Sequence, residues 1–269
     1  MFRIYRLPAQ LALLLTIALF TASCQDNAPT PGGKIRVEFD NVVGEKNLVL
    51  NGVTYQNQSG EDFVVTKLNY YISNIKFIRT DGTIYTVPQD SSYFLIREET
   101  RSSQFAMIRN VPLGEYDHIE FMVGVDSLRN TMPLSRRKGA LDPGGVEGHD
   151  GMYWNWNSGY IFMKLEGTSP HGNPVNDKFY YHIGLFGGYD EKTVNNTRVV
   201  RLKFGDDKVV VTEEKTPEVH LMADVQKFFD GPGTQLSIAN NWSVMGAQQT
   251  LSAMIANNYQ QMFRYDHTH

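Results

Sequence analysis

Two groups of side chains in this sequence could bind a metal ion. The chain has seven histidines and ten methionines, and imidazole nitrogen and thioether sulfur are both ligands of transition-metal ions. The densest group is the segment 149–160, which contains His149, Met152, Trp154 and Trp156. The last three are spaced two residues apart, which puts their side chains on one face of a strand. The alternative interpretation is that the two indoles fill the interior of the fold.

Three further histidines are candidate ligands. His182 lies in an alternating segment, 178–183, that predicts a strand, where it could be either a ligand or a structural histidine. His267 and His269 are two residues apart, so an extended chain would point both imidazoles to the same side. The alternative for this pair is a flexible terminus. The candidate metal ligands are therefore His182, His149, His267, His269 and Met152.

The remaining histidines are explained more simply without a metal. His220 alternates with Met222 and Asp224 on one face of a predicted strand, which favours a structural role. His118 precedes a predicted strand, and His171 lies in a Ser-Pro-His-Gly turn, so both are expected at the surface. We do not count these three histidines among the candidate ligands.

The amino-terminal segment has the pattern of an exported lipoprotein. Two arginines precede an apolar run, 11–20, which is too short to cross a bilayer and is typical of a signal peptide. Small residues lead into Cys24, an arrangement that resembles the lipobox, where the cysteine carries lipid. We predict a signal peptide at 1–23, a lipidated tether at 24–33, and a location in the cell envelope, at the outer membrane or cell surface. The alternative is an ordinary signal peptide with an incidental cysteine.

Composition restricts the classes of function. If Cys24 carries the anchor, the mature chain can form no disulfide and no thiolate metal site. The net charge of −4 and its dispersed charges disfavour a nucleic-acid partner. The sequence contains no Gly-x-Ser-x-Gly, phosphate-binding glycine loop or His-Glu-x-x-His motif. These features predict a binding protein and not an enzyme.

The segments that must position these residues alternate with the two-residue period of half-buried strands. The predicted strands are 34–39, 63–78, 83–87, 93–96, 105–108, 116–125, 160–165, 178–183, 199–204, 209–212 and 219–225. A bend is expected near Ser73 and Asn74, and a turn at 110–114. A glycine-rich loop at 135–151 leads into the tryptophan segment.

The elements together predict a single β domain. Apolar residues at helical spacing predict one helix over 245–263, near the carboxyl end. No linker and no internal repeat divides the chain after the tether, so residues 34–269 are expected to form one domain. Many short strands at even spacing predict an all-β fold, an immunoglobulin-like or jelly-roll-type β-sandwich with that helix packed on it.

Four segments carry a resemblance to one known family. They are Val-Thr-Lys-Leu-Asn-Tyr-Tyr-Ile-Ser-Asn-Ile at 65–75, Asn-Val-Pro-Leu-Gly-Glu-Tyr at 110–116 with Phe-Met-Val-Gly-Val at 121–125, Gly-Met-Tyr-Trp-Asn-Trp-Asn-Ser-Gly-Tyr at 151–160 with Lys-Leu-Glu-Gly at 164–167, and Tyr-His-Ile-Gly at 181–184. In this order they resemble the MbnP family of methanobactin-associated, copper-binding periplasmic or surface proteins. The Met-x-Trp-x-Trp-x-x-Gly-Tyr motif is its most specific feature, and the His-x-His ending resembles the lipoprotein branch.

The resemblance implies a β-sandwich with a mononuclear copper site built from histidines, among which His182 matches the family's histidine position. It also implies that Trp154 or Trp156 is oxidised to kynurenine, which would then lie at the copper. The oxidant would be a partner dihaem cytochrome c peroxidase-like protein of the MauG/MbnH type, related to the methylamine-utilisation maturase.

The sequence therefore predicts an extracytoplasmic copper-binding lipoprotein for copper uptake, storage or sensing. One alternative is a surface module that binds glycan or peptide on exposed aromatic rings, and another is a structural subunit of an outer-membrane assembly. The aromatic platform of the first alternative would consist of Tyr153, Trp154, Trp156, Tyr160 and Trp242.

Overall fold

The computed structural model describes residues 32–144, 151–154, 159–206 and 208–269. The strands are β1 (Gly32–Val43), β2 (Lys46–Asn47), β3 (Tyr55–Gln56), β4 (Asp62–Arg79), β5 (Ile84–Thr86), β6 (Tyr93–Arg97), β7 (Phe105–Pro112), β8 (Gly114–Val123), β9 (Tyr153–Trp154), β10 (Gly159–Thr168), β11 (Lys178–Gly184), β12 (Arg198–Lys203), β13 (Val209–Val211), β14 (Glu218–Asp224), β15 (Ser243–Val244) and β16 (Phe263–Thr268). The α-helices are α1 (Ser127–Thr131), α2 (Gln226–Phe229) and α3 (Gln249–Tyr259). Short 3-10 turns lie at Gln89–Ser91, Arg101–Gln104, Leu134–Arg136 and Gly139–Leu141.

The predicted signal peptide and the lipid attachment site, Cys24, lie outside the described residues. Strand β1 begins at Gly32, two residues before the predicted start of the domain. Within the described ranges, the helices are all too short, or too polar, to cross a membrane.

The strands form two sheets. In the smaller sheet the order is β16-β14-β1, and β2 and β7 both pair with the other edge of β1. Strands β1 and β14 are parallel, whereas the other pairs of this sheet are antiparallel. In the larger sheet the order is β12-β8-β4-β10-β11-β15, with the short strands β3, β5 and β6 on β4, β9 on β10 and β13 on β8.

The two sheets pack face to face over one apolar core. Ile35, Val37 and Phe39 alternate along β1 and are fully buried, as the two-residue period predicts. The Phe39 ring lies edge-on to that of Phe121 in the larger sheet, with centroids 5.5 Å apart, and Tyr70 of that sheet lies 6.5 Å away. Sheet-on-sheet packing of this kind is a sandwich. The predicted all-β sandwich is therefore confirmed.

The longest strand, β4, bends where the sequence predicted. The pairing of β4 with β8 shifts between Ser73 and Lys76, and Asn74 has a φ of 51°. The Asn74 amide donates to Asp126 at 3.2 Å, and the backbone N–H of Ile75 donates to the Ser92 hydroxyl at 2.7 Å. These bonds satisfy groups that leave the ladder at the bulge.

The carboxyl-terminal region differs from the prediction. The helix α3 covers only Gln249–Tyr259, whereas it was expected over 245–263. Residues 260–262 of the predicted helix form a turn instead. Residue 263 and the tail, for which a flexible terminus was the alternative, form β16, which pairs antiparallel with β14. Burial of Phe263 in the core anchors the start of β16, and this tertiary contact overrides the local helical pattern. The tail is therefore an ordered strand.

The predicted turn at 110–114 is shorter than expected. Strand β7 continues to Pro112 because Asn110, with a φ of 57°, forms a bulge after which pairing resumes. Beyond the bulge, Val111 and Pro112 pair with the two glycines at the start of β1. The chain turns only at Leu113, and β8 begins at the next residue.

A buried carboxylate ties two loops of the fold together. Glu61 is 6% exposed, and one of its oxygens accepts from the Ser237 hydroxyl at 2.8 Å and the Ala239 N–H at 3.0 Å. The other oxygen accepts from the Asn57 amide at 2.8 Å and the Ile238 N–H at 2.7 Å. Burial alone would raise the pKa of Glu61, but these four hydrogen bonds outweigh it and hold the pKa below its usual value.

Glu61→Gln is expected to lower the free energy of unfolding by about 2 kcal/mol at pH 7. The NH₂ group of the new side chain cannot accept a hydrogen bond, so two donors that now bond to a carboxylate oxygen lose their acceptor. A carboxylate whose pKa is lowered by folding stabilises the fold above its unfolded pKa, and this contribution is lost as pH falls through the folded pKa. The difference between wild type and variant should therefore shrink below a pH of about 4.5. Urea unfolding at pH 7 and pH 3.5 measures it; an equal difference at both pH values would contradict the assignment.

Candidate metal centre

Two histidines of the smaller sheet meet on its outer surface. On β14, Val219, Leu221 and Ala223 are buried in the core, so the alternating residue His220 points outward. Strand β16 lies beside β14 and brings His267 directly opposite His220. The ring centroids of these two histidines are 4.7 Å apart.

A bulge on β16 places consecutive side chains on the same side. His220 pairs with His267, but the next residue of β14, Leu221, pairs with Tyr265, so Asp266 is an extra residue in the ladder. Two residues of a bulged strand oppose one residue of its partner. Both Asp266 and His267 therefore face His220, a juxtaposition that regular alternation would forbid.

The three facing atoms have the spacing of metal ligands. His220 Nδ1 is 3.0 Å from Asp266 Oδ2 and 3.4 Å from His267 Nδ1, and the latter two atoms are 2.7 Å apart. A first-row ion binds imidazole or carboxylate at about 2.0–2.2 Å, so two ligands of one ion lie about 2.9–3.4 Å apart. Two of the three distances fall in this range, and the third is that of a hydrogen bond. All three atoms could reach one ion with small side-chain rotations.

The second tail histidine extends the cluster. His269 lies two residues beyond His267, and the two Nε2 atoms are 2.7 Å apart. Its backbone is held to β14, since the N–H donates to the Glu218 carbonyl at 2.9 Å and the carbonyl accepts from the Glu218 N–H at 3.1 Å. The structure thus brings the two tail histidines together on one side, as their spacing predicts. We call His220, Asp266, His267 and His269 the tail cluster.

Carboxylates of β1 lie behind His220. Its Nε2 atom, on the opposite edge of the ring from Nδ1, is 3.4 Å from Asp40 Oδ2 and 4.0 Å from Glu38 Oε2. A carboxylate that accepts from one ring nitrogen leaves the other free to bind a metal. Glu38 is also paired with the Arg101 guanidinium. Parallel pairing of β1 with β14 produces this arrangement, because it sets Glu38 opposite His220.

Asp266 is in the ionised form that an anionic ligand requires. The hydrogen bond from His267 lowers the pKa of Asp266, burial opposes it, and a further hydrogen bond from His220 adds to the lowering. The carboxyl is therefore ionised at neutral pH, which is the form that binds a metal.

His182, the other candidate imidazole, lies on the larger sheet. Its neighbours on β11, Tyr181 and Ile183, are buried in the core, so His182 points to the outer face of that sheet. His182 Nε2 is 2.7 Å from Glu166 Oε1, and this hydrogen bond holds the pKa of Glu166 below its usual value. In the described ranges no second imidazole is in hydrogen-bond contact with it. His182 and the tail cluster are therefore on opposite outer faces of the sandwich and cannot share one ion.

Trp154 packs against the end of the strand that carries His182. A Cβ atom added at Gly184, two residues after His182, would be only 2.9 Å from Trp154 Cζ3, so the indole covers the glycine. Met152 is fully buried in a small apolar cluster with residues such as Tyr71 and Phe162, so its sulfur is surrounded by apolar side chains. The other two candidates of this segment, His149 and Trp156, lie outside the described residues.

Two of the proposed platform aromatics do not form an exposed stacking surface. Tyr160 is 1% exposed, and its hydroxyl donates to the Leu141 carbonyl. Tyr153 packs edge-on to Tyr160 and accepts at its hydroxyl from Arg137 at 2.9 Å. Trp242 is half-buried against the main core. These contacts are those of packing residues.

The family model described as MbnP matches residues 32–252. The chain belongs to the MbnP family. Its structure is similar to that of MbnP from Methylosinus trichosporium, with a TM-score of 0.56 and 15% sequence identity, over 82% of this chain and 86% of that chain. At that identity, the likeness shows a shared fold. No curated protein sequence matches the chain.

The MbnP match includes some of the candidate residues and omits others. His182, His220 and the tryptophan segment fall within it, but it ends at residue 252, before β16 begins. The part of the tail cluster on β16 thus lies beyond the residues that the family model covers. Sequence reasoning assigned His220 a structural role and did not count Asp266 as a ligand. The available signals were the alternation of His220 with apolar residues on its strand and the position of Asp266 directly before His267.

Proposed function

We propose that this protein is an extracytoplasmic copper-binding lipoprotein that acts in copper uptake, storage or sensing. The observation that carries the proposal is the convergence of His220 Nδ1, His267 Nδ1 and Asp266 Oδ2 within 3.4 Å of one another. Membership in the MbnP family supports copper as the metal. The tail cluster would hold the ion, and His269 stands beside it as a further imidazole.

The donor set fits copper. Imidazole nitrogen is a preferred ligand of copper, and a given site of nitrogen and oxygen donors binds divalent copper more tightly than the other first-row divalent ions. The ligands lie on two hydrogen-bonded strands, which lowers the backbone freedom that would be lost when the ion binds. When bound, copper would supply a positive centre that neutralises Asp266.

We propose that the protein binds copper and does not catalyse a reaction, and that it is located in the cell envelope. The lipoprotein pattern that ends at Cys24 supports this location. Oxidation of Trp154 or Trp156 by a dihaem peroxidase partner stays a prediction.

The competing proposal, an aromatic platform for glycan or peptide, is weaker. A sugar stacks on an exposed ring face. Tyr160 is buried, and the Tyr153 ring packs against Tyr160 with the Arg137 guanidinium 5.5 Å from its centroid, so these two rings do not form an open platform.

Copper stoichiometry of two variants tests the proposed function. The full chain is freed of metal, incubated with excess copper, separated from unbound ion and measured by elemental analysis. Wild type should retain about one copper ion per chain, and His220→Ala should lose most of it. His182→Ala is the matched control, because it removes an outward imidazole from the opposite face, and it should retain the ion.

The opposite pattern, with copper lost from His182→Ala and kept by His220→Ala, would move the site to the tryptophan segment and contradict the tail cluster. A wild-type chain that retains no copper contradicts the function itself. Circular dichroism of each variant shows that the loss of metal is not a loss of fold.

A further inference from the structure

We infer that a cavity beside α1 binds a soluble phosphate monoester, and that this binding does not depend on copper. The cavity has a volume of about 400 Å³ and is lined mainly by the turn that contains Asp90 and by the stretch from Arg129 to Leu141. Its lining includes three cationic side chains, those of Arg129, Arg136 and Lys138, and one carboxylate, that of Asp90. The lining therefore carries an excess of two positive charges.

Arg129 is the buried cation of the cavity. Its side chain is 4% exposed, and its Cζ atom lies 4.9 Å from the centroid of the Tyr93 ring. Nη2 donates to Asp90 Oδ1 at 2.5 Å and Nη1 donates to the Arg136 carbonyl at 2.9 Å. The buried Nε atom has no hydrogen-bond partner among the described residues. A buried donor without a partner costs free energy, so the guanidinium retains capacity for a further acceptor.

Asp90 marks the point where the three positive charges converge. The hydrogen bond from Arg129 lowers the pKa of Asp90, and the charges of Arg129, Arg136 and Lys138 lower it further. The Asp90 side chain is 73% exposed, so solvent and solutes reach it. In the described ranges, neither Arg136 nor Lys138 forms an ion pair with a carboxylate of its own. An external oxyanion that enters the cavity therefore meets two unpaired cations and competes with Asp90 for the third.

The charge and the donors fit a phosphate monoester. Such a group carries a charge of about −1.5 to −2 at pH 7 and offers three acceptor oxygens, which matches the excess charge of the cavity. Guanidinium and ammonium groups both form strong, charge-assisted hydrogen bonds with phosphate oxygens. Ser135 also lines the cavity, and its hydroxyl can donate a further bond. The volume is in the range of sites for small molecules.

The position of the cavity favours a soluble ligand over a lipid headgroup. Strand β1 begins at Gly32, which pairs with Pro112, close to the start of β8. The cavity lies beyond the other end of β8, and the ten residues of this strand span about 30 Å. The predicted lipid anchor precedes β1, so it would hold the opposite end of the sandwich toward the membrane.

Isothermal titration calorimetry of the metal-free full chain with glycerol 3-phosphate tests the inference. Wild type should bind one ester per chain at low ionic strength, where exposed charges are least screened. Arg136→Ala and Lys138→Ala should each weaken binding by about tenfold or more, the equivalent of one hydrogen bond to a charged group. Arg109→Ala is the matched control, because Arg109 is also exposed and lies beside another cation, Lys34, but on the smaller sheet. It should bind the ester like wild type.

Asp90→Asn distinguishes a ligand site from a purely structural ion pair. Loss of the competing carboxylate should tighten binding of the ester by about two- to fivefold, the range expected for an exposed ion pair. Asp81→Asn is the control, since it neutralises another exposed aspartate whose pKa is lowered by hydrogen bonds within its turn and by the charge of Arg79. This control should leave the affinity unchanged.

The outcomes that overturn the inference are distinct. No binding of the ester by wild type at millimolar concentrations, or equal affinities of Arg136→Ala, Lys138→Ala and Arg109→Ala, overturns the site. Unchanged or weaker binding in Asp90→Asn overturns the role of Asp90 as the competing counter-ion. Binding to vesicles that contain phosphatidic acid, which carries the same monoester group, without binding of the soluble ester overturns the choice of ligand. All these titrations are done without copper, so none of them bears on the tail cluster.

Discussion

His267→Ala is expected to lower the affinity for copper by at least about 100-fold, because the loss of a direct ligand should exceed the 10–100-fold cost of losing an outer partner. His267 is the centre of the tail cluster. Its Nδ1 faces both Asp266 and His220, and its Nε2 faces His269. Without it, the remaining ligands no longer surround one point. Competition titration with Cu²⁺ on the metal-free full chain measures the change.

His118→Ala is the matched control for this substitution. His118 also follows an aspartate, and its Nδ1 is 2.7 Å from Asp117 Oδ1, the same separation as between His267 and Asp266. It lies on β8 in the larger sheet, and no second imidazole contacts it among the residues that the structure describes. The control should bind copper like wild type. A similar loss in both variants would mean that the effect is not specific to the tail cluster. No loss in His267→Ala would mean that copper binds elsewhere.

His269→Ala should have a smaller effect than His267→Ala. The His269 ring contacts the cluster through His267 Nε2 alone, whereas the three convergent atoms are on the other side of the His267 ring. The order of affinity loss expected from these contacts is therefore His267 above His220 above His269. This order distinguishes the tail cluster from a flexible His-x-His clamp, in which the two tail histidines would contribute equally.

Local alternation in the sequence was enough to predict most of the strands. Ile35, Val37 and Phe39 are inward residues of β1 because polar residues separate them. The bulge near Asn74 was also predictable, since an asparagine tolerates a positive φ where the apolar run must change direction. The alternation and the asparagine lie within the strand whose form they determine, so the partner strand need not be known to predict it.

The candidate metal centre could not be predicted in the same way. His220 and His267 are brought together by the pairing of β14 with β16, and Asp40 joins them through the parallel pairing of β1 with β14. Strands that far apart in sequence pair in a register set by the whole core and not by local pattern. The bulge at Asp266 adds a second non-local step, because alternation alone would place Asp266 and His267 on opposite faces.

The same alternation explains why the predicted ligands divide into two sites. His182 and His220 both lie between buried neighbours and therefore point outward, but they belong to different sheets. The sequence pattern predicts that both side chains point outward, but it does not predict which sheet each strand belongs to. The structure thus leaves His182 on the strand that packs against Trp154 and places the tail histidines with His220.

Phe39→Ala is expected to lower the free energy of unfolding by about 3–5 kcal/mol, the usual cost of truncating a buried phenylalanine. The ring is fully buried and lies edge-on to Phe121 of the larger sheet and to Phe263 at the start of β16, with centroids 5.5 Å and 6.3 Å apart. It therefore packs β1, which carries Asp40, against β16, which carries Asp266 and His267 of the tail cluster. Phe105→Ala is the control: this half-buried ring lies on the outer face between the guanidiniums of Arg36 and Arg101, and its loss should cost only about 1–2 kcal/mol.

Copper then distinguishes damage to the core from damage to the metal centre. A ligand that binds only the folded state stabilises it by about 2.7 kcal/mol at a free concentration of 100 times its dissociation constant. Because Phe39 points inward and the ligands point outward, copper at that excess should raise the urea midpoint of Phe39→Ala as it raises that of wild type. No rise in the variant, with a normal rise in wild type, would show that the core residue also sets the geometry of the site. No rise in either would mean that the tail cluster does not bind copper in the folded protein.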